Sequence, residues 1–247
     1  MPPRPFDLIA FDGDDTLWHN ERSYRDARER FRRLLASAGL DLDEADVEAS
    51  VNRTELANLD YFGYGVSSFA LSLIETAIEL TGGRIAGRDL VDLLDLAREM
   101  VSEEIELFPG AHETLTALAG PHPLMLVTKG DLLHQSSKLE RSGLRPYFAS
   151  VEVVSRKTPD VYAAILGRHG IDPQRFLMVG NSLRSDVLPV LELGGWAVYV
   201  PAALTWSHED ADPPDQGTHR YFELETLAAL PALVETITQA AKAGPPL

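Results

Sequence analysis

Five short apolar runs recur along the chain: Phe6 to Phe11, Leu124 to Val127, Val151 to Val154, Phe176 to Val179 and Trp196 to Val200. Runs of this length, separated by stretches of helical spacing, predict buried parallel strands joined by crossover helices. The fold class expected is α/β, a doubly wound (Rossmann-like) parallel sheet. Between the first two runs lie far more residues than one crossover helix uses, so something is inserted there. Its pattern is helical: Tyr24, Ala27, Phe31, Leu34 and Leu35 recur at helical spacing, as do Ile74, Ala77 and Ile78, then Leu90, Leu93, Leu94 and Ala97. Glycines at Gly39, Gly82, Gly83 and Gly87 punctuate the insert, and Pro109-Gly110 marks the return to the sheet. The expected organisation is a core of residues 1–17 and 107–247 with a four-helix-like cap over 18–106. Pro201 to Gln216, acidic and rich in proline, reads as a surface loop.

Composition narrows the chemistry. The 247 residues are 45% hydrophobic, which suits one large domain or a core carrying a smaller insertion. The net charge of -16, from 38 acidic against 22 basic side chains, disfavours nucleic acid and anionic membrane as partners, and an anionic substrate would need local positive charge. Without cysteine there is no thiolate catalysis and no cysteine zinc site. The start of the sequence runs into the first strand without an apolar signal core, and no later run approaches the length that crosses a bilayer, so a bacterial-type cytoplasmic protein is expected.

The first strand ends in Phe11-Asp12-Gly13-Asp14-Asp15-Thr16-Leu17, three carboxylates just past the carboxyl end of a buried strand, where α/β sheets place ligands. Like charges so close together call for a compensating cation, so the cluster points to a hard divalent metal with oxygen ligands. An acidic turn capping the next helix is the plainer alternative. The second strand ends in Thr128-Lys129-Gly130-Asp131, which offers a hydroxyl, a flexible glycine and a following helix to an anion; alone, it would equally be ordinary strand-end chemistry. Lys157 follows the third strand, ahead of Thr158 and Pro159 as N-cap and first residue of a helix over Asp160 to Leu166. The fourth strand leads to Gly180-Asn181-Ser182-Leu183-Arg184-Ser185-Asp186, with Gly180 allowing close backbone approach and Asp186 placed to join the metal cluster. Acid cluster, hydroxyl, lysine and acid each follow a different strand, so all four converge on one edge of the sheet.

Together these stretches resemble the haloacid dehalogenase superfamily, whose motifs are an Asp-x-Asp-x-Thr strand end, a Ser or Thr, a Lys and a Gly-Asp-x-x-x-x-Asp. The insert resembles the helical cap that one large subclass carries after its first motif. The resemblance implies that Asp12 attacks phosphorus, while Asp14 protonates the leaving oxygen and later activates water. It implies that Thr128 and Lys157, with Lys129 and Gly130 beside them, hold the phosphoryl oxygens. It further implies Mg2+ bound by Asp12, the backbone carbonyl of Asp14, Asp186 and Asn181. Two positions depart from the pattern. Asp15 stands where many relatives have glycine, and Asn181 replaces the first acid of the last motif, with an amide oxygen that can still ligate or bond a bound water.

The expected activity is a magnesium-dependent phosphomonoester hydrolase acting on a small phosphorylated metabolite through an aspartyl-phosphate, as monomer or homodimer. Sugar phosphates, phosphoglycolate-like acids, nucleoside monophosphates and flavin mononucleotide all remain open as substrates. The alternatives are a 2-haloacid dehalogenase, which the presence of Asp14 disfavours, and a non-catalytic binding module of the same fold. Gly63-Tyr64-Gly65 begins like a dinucleotide fingerprint but lacks a third glycine and a preceding strand. Tyr61, Phe62 and Tyr64 instead read as a loop that contacts the leaving group, or as an aromatic-anchored helix junction. No Gly-x-Ser-x-Gly elbow occurs, and the seven histidines lack metal-ligand spacing.

Overall fold

The computed structural model describes residues 4–215 and 217–243. Residues 1–3 of the amino terminus, Gln216 at the end of the acidic loop and residues 244–247 of the assigned core lie outside the described residues. In chain order the elements are β1 (Leu8–Phe11), α1 (Glu21–Ser37), α2 (Glu44–Phe62), α3 (Val66–Leu80), α4 (Gly87–Ser102) and α5 (Ala111–Ala119). There follow β2 (Leu124–Lys129), α6 (Leu132–Arg141), β3 (Ser150–Val154), α7 (Pro159–His169) and β4 (Phe176–Gly180). The chain continues with α8 (Leu188–Glu192), β5 (Trp196–Tyr199), β6 (Tyr221–Glu223) and α9 (Leu230–Ala243). By contact the chain divides into two compact units. One holds the sequence up to His19, Ile105–Thr128 and everything from Lys138; the other holds Asn20–Glu104 together with Lys129–Ser137.

The sheet unit is the doubly wound α/β fold expected from the strand pattern. Strand order is β3-β2-β1-β4-β5-β6, with β1 pairing in parallel to β2 and β4, β4 to β5 and β5 to β6. Alternation along the central strands builds a core on each face. Ile9, Phe11, Leu124, Leu126, Leu177 and Val179 join one apolar cluster, whereas Leu8, Ala10, Met125, Val127, Phe176 and Met178 join the other. Burying each large side chain contributes roughly 1.5–3 kcal/mol, and this fixes the register of the strands that carry the acidic turn. At the sheet edge β3 is half-buried, and its Glu152 turns to Arg168 (2.7 Å) and His169 (3.1 Å), which explains a charge within an otherwise apolar run. The sequence pattern did not reveal β6, an edge strand of three residues.

The helical unit packs α1 to α4 around Phe31, Leu35, Val51, Phe69, Leu73, Leu93 and Leu96. Ile78 and Leu94, expected in that face, are instead 43% and 42% exposed, because the buried stripes of α3 and α4 run through Leu73 and Ala77 and through Leu93 and Leu96. Helix α2 buries polar groups as well. Arg28 donates to Glu21 (3.0 Å) and Glu55 (2.9 Å), Asn58 donates to Ser72 (3.1 Å) and Glu75 (2.8 Å), and Thr76 donates to Thr54 (2.9 Å). Burial pushes the Glu55 carboxyl up to about 7, with Arg28 opposing and Glu21 reinforcing the shift.

The folded chain therefore binds this proton more tightly than the unfolded chain. The stabilisation is absent well above pH 7, grows as pH falls through 7 and is complete below the unfolded value. Between pH 8 and pH 6 the gain is roughly 1 kcal/mol, so the melting temperature of the wild type should rise over that interval. Glu55→Gln, which keeps the shape and cannot titrate, should reduce that rise and leave the part that belongs to Asp12, whose carboxyl burial pushes to the same range. An equal rise in both proteins, read by thermal unfolding at the two pH values, would assign it to other groups.

Candidate active site

The carboxyl edge of the sheet brings Asp12, Lys157, Asn181 and Asp186 together. Asp12 follows β1 directly, and its N–H donates to the Val179 carbonyl (2.9 Å), extending the strand pairing by one residue. Lys157 follows β3 and precedes Thr158, whose hydroxyl accepts from Val161 N–H as the cap of α7. The buried Lys157 ammonium bridges two carboxylates, 2.5 Å from Asp12 Oδ1 and 2.7 Å from Asp186 Oδ1. Thr16 Oγ1 lies 3.2 Å from both Asp12 Oδ2 and Asn181 Oδ1, its single hydrogen serving one acceptor at a time. Thr128 is fully buried at the same edge, two residues past Leu126, the partner of Phe11 in the sheet register.

Asp186 is held by its own turn. It sits in a π-helical turn, Leu183–Val187, capped by Ser182, whose hydroxyl accepts from Ser185 N–H (2.9 Å). The Ser182 N–H in turn donates to Asp186 Oδ2 (3.1 Å). A further carboxylate supports this turn from the acidic loop: Glu209 Oε2 accepts from Ser182 Oγ (2.7 Å) and Ser185 Oγ (2.6 Å). The loop read as simple surface thus reaches back to the site, and its sequence gave no sign of it because the partners lie 24 and 27 residues upstream.

Asp14 is gripped separately. Its Oδ1 accepts from the Trp18 indole N–H (2.6 Å) and from the Lys138 ammonium (2.7 Å). Trp18 is fully buried and its ring lies against Gly13, where an added Cβ would come within 2.6 Å of it. Asp15 has φ 58°, a left-handed conformation that favours glycine and that aspartate tolerates better than most residues. This accounts for both residue types at the position. Sequence reasoning missed Trp18, Lys138 and Glu209 as members of the site, and gave Thr16 no role beyond its place in the first motif.

The electrostatics are those of excess negative charge out of water. Burial pushes the Asp12 carboxyl up to about 7 despite the nearby Lys157, and the charges of Asp186 and Asp14 add to the shift. Burial alone would lower the Lys157 ammonium, but Asp12 and Asp186 outweigh it and hold the lysine charged. One ammonium faces two carboxylates here, and every other donor is oxygen, a set that suits a hard divalent cation such as Mg2+. Among the described residues no three acidic or histidine side chains form a metal group by themselves. The amide oxygen of Asn181, 3.2 Å from Thr16 Oγ1, is a further oxygen that such a cation could use.

The other expected binding residues lie in the helical unit. Tyr61 and Phe62 close helix α2, 82% and 53% exposed, and so do not form a loop. Tyr64 is half-buried and lies under the Lys129 ammonium, 4.1 Å from the ring centre. Gly63 and Gly65 adopt positive φ, and a Cβ on Gly65 would strike Asp131, which also accepts from Ser67 N–H (3.4 Å). Gly130 also has positive φ, with Gln135 donating to the Lys129 carbonyl (3.0 Å) beside it.

A parallel sheet that gathers an acidic turn, a lysine and a second acid at its carboxyl edge has the layout of an enzyme site at the strand ends of a doubly wound fold. Residues 6–194 match the haloacid dehalogenase-like hydrolase family, and the chain belongs to it. It is similar to a haloacid dehalogenase-like family hydrolase from Xanthomonas campestris, 40% identical, covering 97% of this chain and 94% of that one with a TM-score of 0.84. It is also similar to the human N-acylneuraminate-9-phosphatase, 24% identical over 93% of this chain and 94% of the relative. A third relative is the glyceraldehyde 3-phosphate phosphatase of Methanothermobacter thermautotrophicus, 25% identical over 82% of this chain and 88% of the relative. The protein is a hydrolase. Among the described residues no helix is long and apolar enough to cross a membrane.

Proposed function

We propose that this hydrolase is a magnesium-dependent phosphomonoesterase acting on a small phosphorylated metabolite through an aspartyl-phosphate. The observation that carries the reading is the Asp12 carboxylate beside the buried Lys157–Asp186 pair, with a second, separately held acid, Asp14, two residues on. The names of the two curated relatives, both phosphatases, support the same class of reaction.

In this mechanism one carboxylate oxygen of Asp12 attacks phosphorus as the bond to the leaving oxygen breaks, and Asp14 supplies that oxygen with a proton. Thr128 and Lys157 hold the equatorial phosphoryl oxygens, with Lys129 and Gly130 available from the neighbouring loop. Asp14 then takes a proton from the water that releases phosphate from Asp12. Magnesium held by Asp12, Asp186, the Asn181 amide oxygen and the Asp14 backbone carbonyl supplies charge neutralisation at the phosphoryl group when bound. The helical segment 18–106 is assigned the role of a cap that selects the leaving group, with Tyr61, Phe62 and Tyr64 as its contacts. Dehalogenation is disfavoured because it has no use for an acid at position 14.

The test is hydrolysis of para-nitrophenyl phosphate, followed by phosphate release with and without chelator. Turnover that vanishes on chelation and returns with magnesium is expected. Chloride or bromide release from a 2-haloacid, with no phosphate released from any ester, would overturn the reading.

A further inference from the structure

Besides Lys157, a second lysine is buried in the sheet unit, and none of the four strand-end motifs accounts for it. Lys138 lies on α6, only 5% exposed. Burying an ammonium is costly unless a charge or good acceptors receive it. Its ammonium meets Asp14 Oδ1 at 2.7 Å, and the Trp18 indole N–H meets the same oxygen at 2.6 Å. The two donors come from different elements, one from a helix after β2 and one from the loop after β1. The carboxylate cannot turn about its last torsion without losing both, so its plane is fixed.

We propose that Lys138 is a positioning residue. With Trp18 it holds Oδ1 of Asp14 and so fixes the direction in which this carboxyl group exchanges protons during turnover. In the first half-reaction the bond from Asp12 to phosphorus forms and the bond from phosphorus to the leaving oxygen breaks. The electron pair left on that oxygen takes the proton from the Asp14 carboxyl group. In the second, a bond from water to phosphorus forms, the bond from Asp12 breaks, and the water proton returns to the Asp14 carboxylate. A lysine at this place serves orientation: the acid is useful only if its proton-bearing oxygen faces the leaving group. This inference rests on the acid/base role assigned to Asp14 above.

Leaving groups distinguish orientation of an acid from general structural support. An alkoxide needs a proton as it departs, whereas para-nitrophenolate does not. The quantity to read is kcat/KM, which covers only the steps through departure of the leaving group. Lys138→Met, nearly the same length without charge or donor, should lower kcat/KM for an alkyl phosphate about 100-fold. For para-nitrophenyl phosphate the loss should be far smaller, about 10-fold or less. Trp18→Phe, which keeps the ring packing and removes one donor, should shift the ratio of the two esters the same way by a smaller factor. Lys138→Arg should restore part of the alkyl rate. Equal losses on both esters, or none, in the two variants would overturn the proposal while leaving the reaction class intact. Asp14→Asn separates the two failures: if it spares the alkyl ester, the acid/base role itself falls and the proposal with it.

Discussion

Asp12→Asn is expected to lower kcat by roughly 10,000-fold or more, the scale seen when a nucleophile is removed from a site that otherwise stays assembled. An amide is nearly the same shape as the carboxylate, so the lattice around it survives. Its oxygen can still accept from Lys157, which stands 2.5 Å from Asp12 Oδ1, and Thr16 remains within reach at 3.2 Å. What is lost is the anionic oxygen that bonds to phosphorus. Stability should hold or rise, because the wild-type carboxyl is already pushed up to about 7 by burial and a neutral side chain removes that cost. Lys157 keeps Asp186 as its counter-charge at 2.7 Å. The check is steady-state kinetics together with thermal unfolding. A variant retaining more than about 1% of wild-type turnover with an unchanged melting temperature would remove Asp12 from the role of nucleophile.

The order of the candidate site along the sequence was legible because most of its expected residues sit at strand ends. The apolar runs mark where strands end, and a parallel sheet aligns those ends on one edge. Asp12, Lys157, Asn181 and Asp186 follow this rule. Lys138 does not. It lies in Leu132–Arg141 among other polar residues, and its partner is 124 residues earlier, so no local spacing marks it as buried. Trp18 reads as one more apolar residue after Leu17, and nothing in the sequence reveals that its indole N–H faces Asp14. Glu209 was hidden differently, as one acid among several in a loop whose composition suggested solvent. In the helical unit the period of apolar residues was correct, but its phase was off by one on α3 and α4, where Ile78 and Leu94 point outward. A stripe that includes adjacent apolar residues leaves its centre undetermined until a neighbouring helix selects a side.

Gly180→Ala is expected to be among the most damaging single substitutions in the chain, although it adds one methyl group to a residue that bonds no ligand itself. A Cβ at this position would lie 2.2 Å from Asp186 Oδ2, 2.3 Å from its Cγ and 2.7 Å from its Cβ. These atoms cannot move aside cheaply. Asp186 is 1% exposed, tied on one side to the Lys157 ammonium and on the other to Ser182 N–H at 3.1 Å. Gly180 cannot retreat either, since it closes β4, pairs with Tyr199 and accepts from Val200 N–H at 2.9 Å. Either the turn that carries Asp186 shifts or the carboxylate leaves its place, and overpacking of this kind costs about 1–3 kcal/mol in stability. The functional loss should be larger than the structural one. A displaced Asp186 takes a charged oxygen from the proposed magnesium shell and one of two counter-charges from Lys157, so magnesium affinity should fall by roughly 100-fold or more. Calorimetric titration of magnesium into wild type, Gly180→Ala and Asp186→Ala reads this directly. The two variants should be alike in affinity, and both weaker than Asn181→Ala, which removes only a neutral amide oxygen. Wild-type magnesium affinity in folded Asp186→Ala would show that Asp186 does not hold the metal, and wild-type affinity in Gly180→Ala alone would show that the added methyl leaves Asp186 in place.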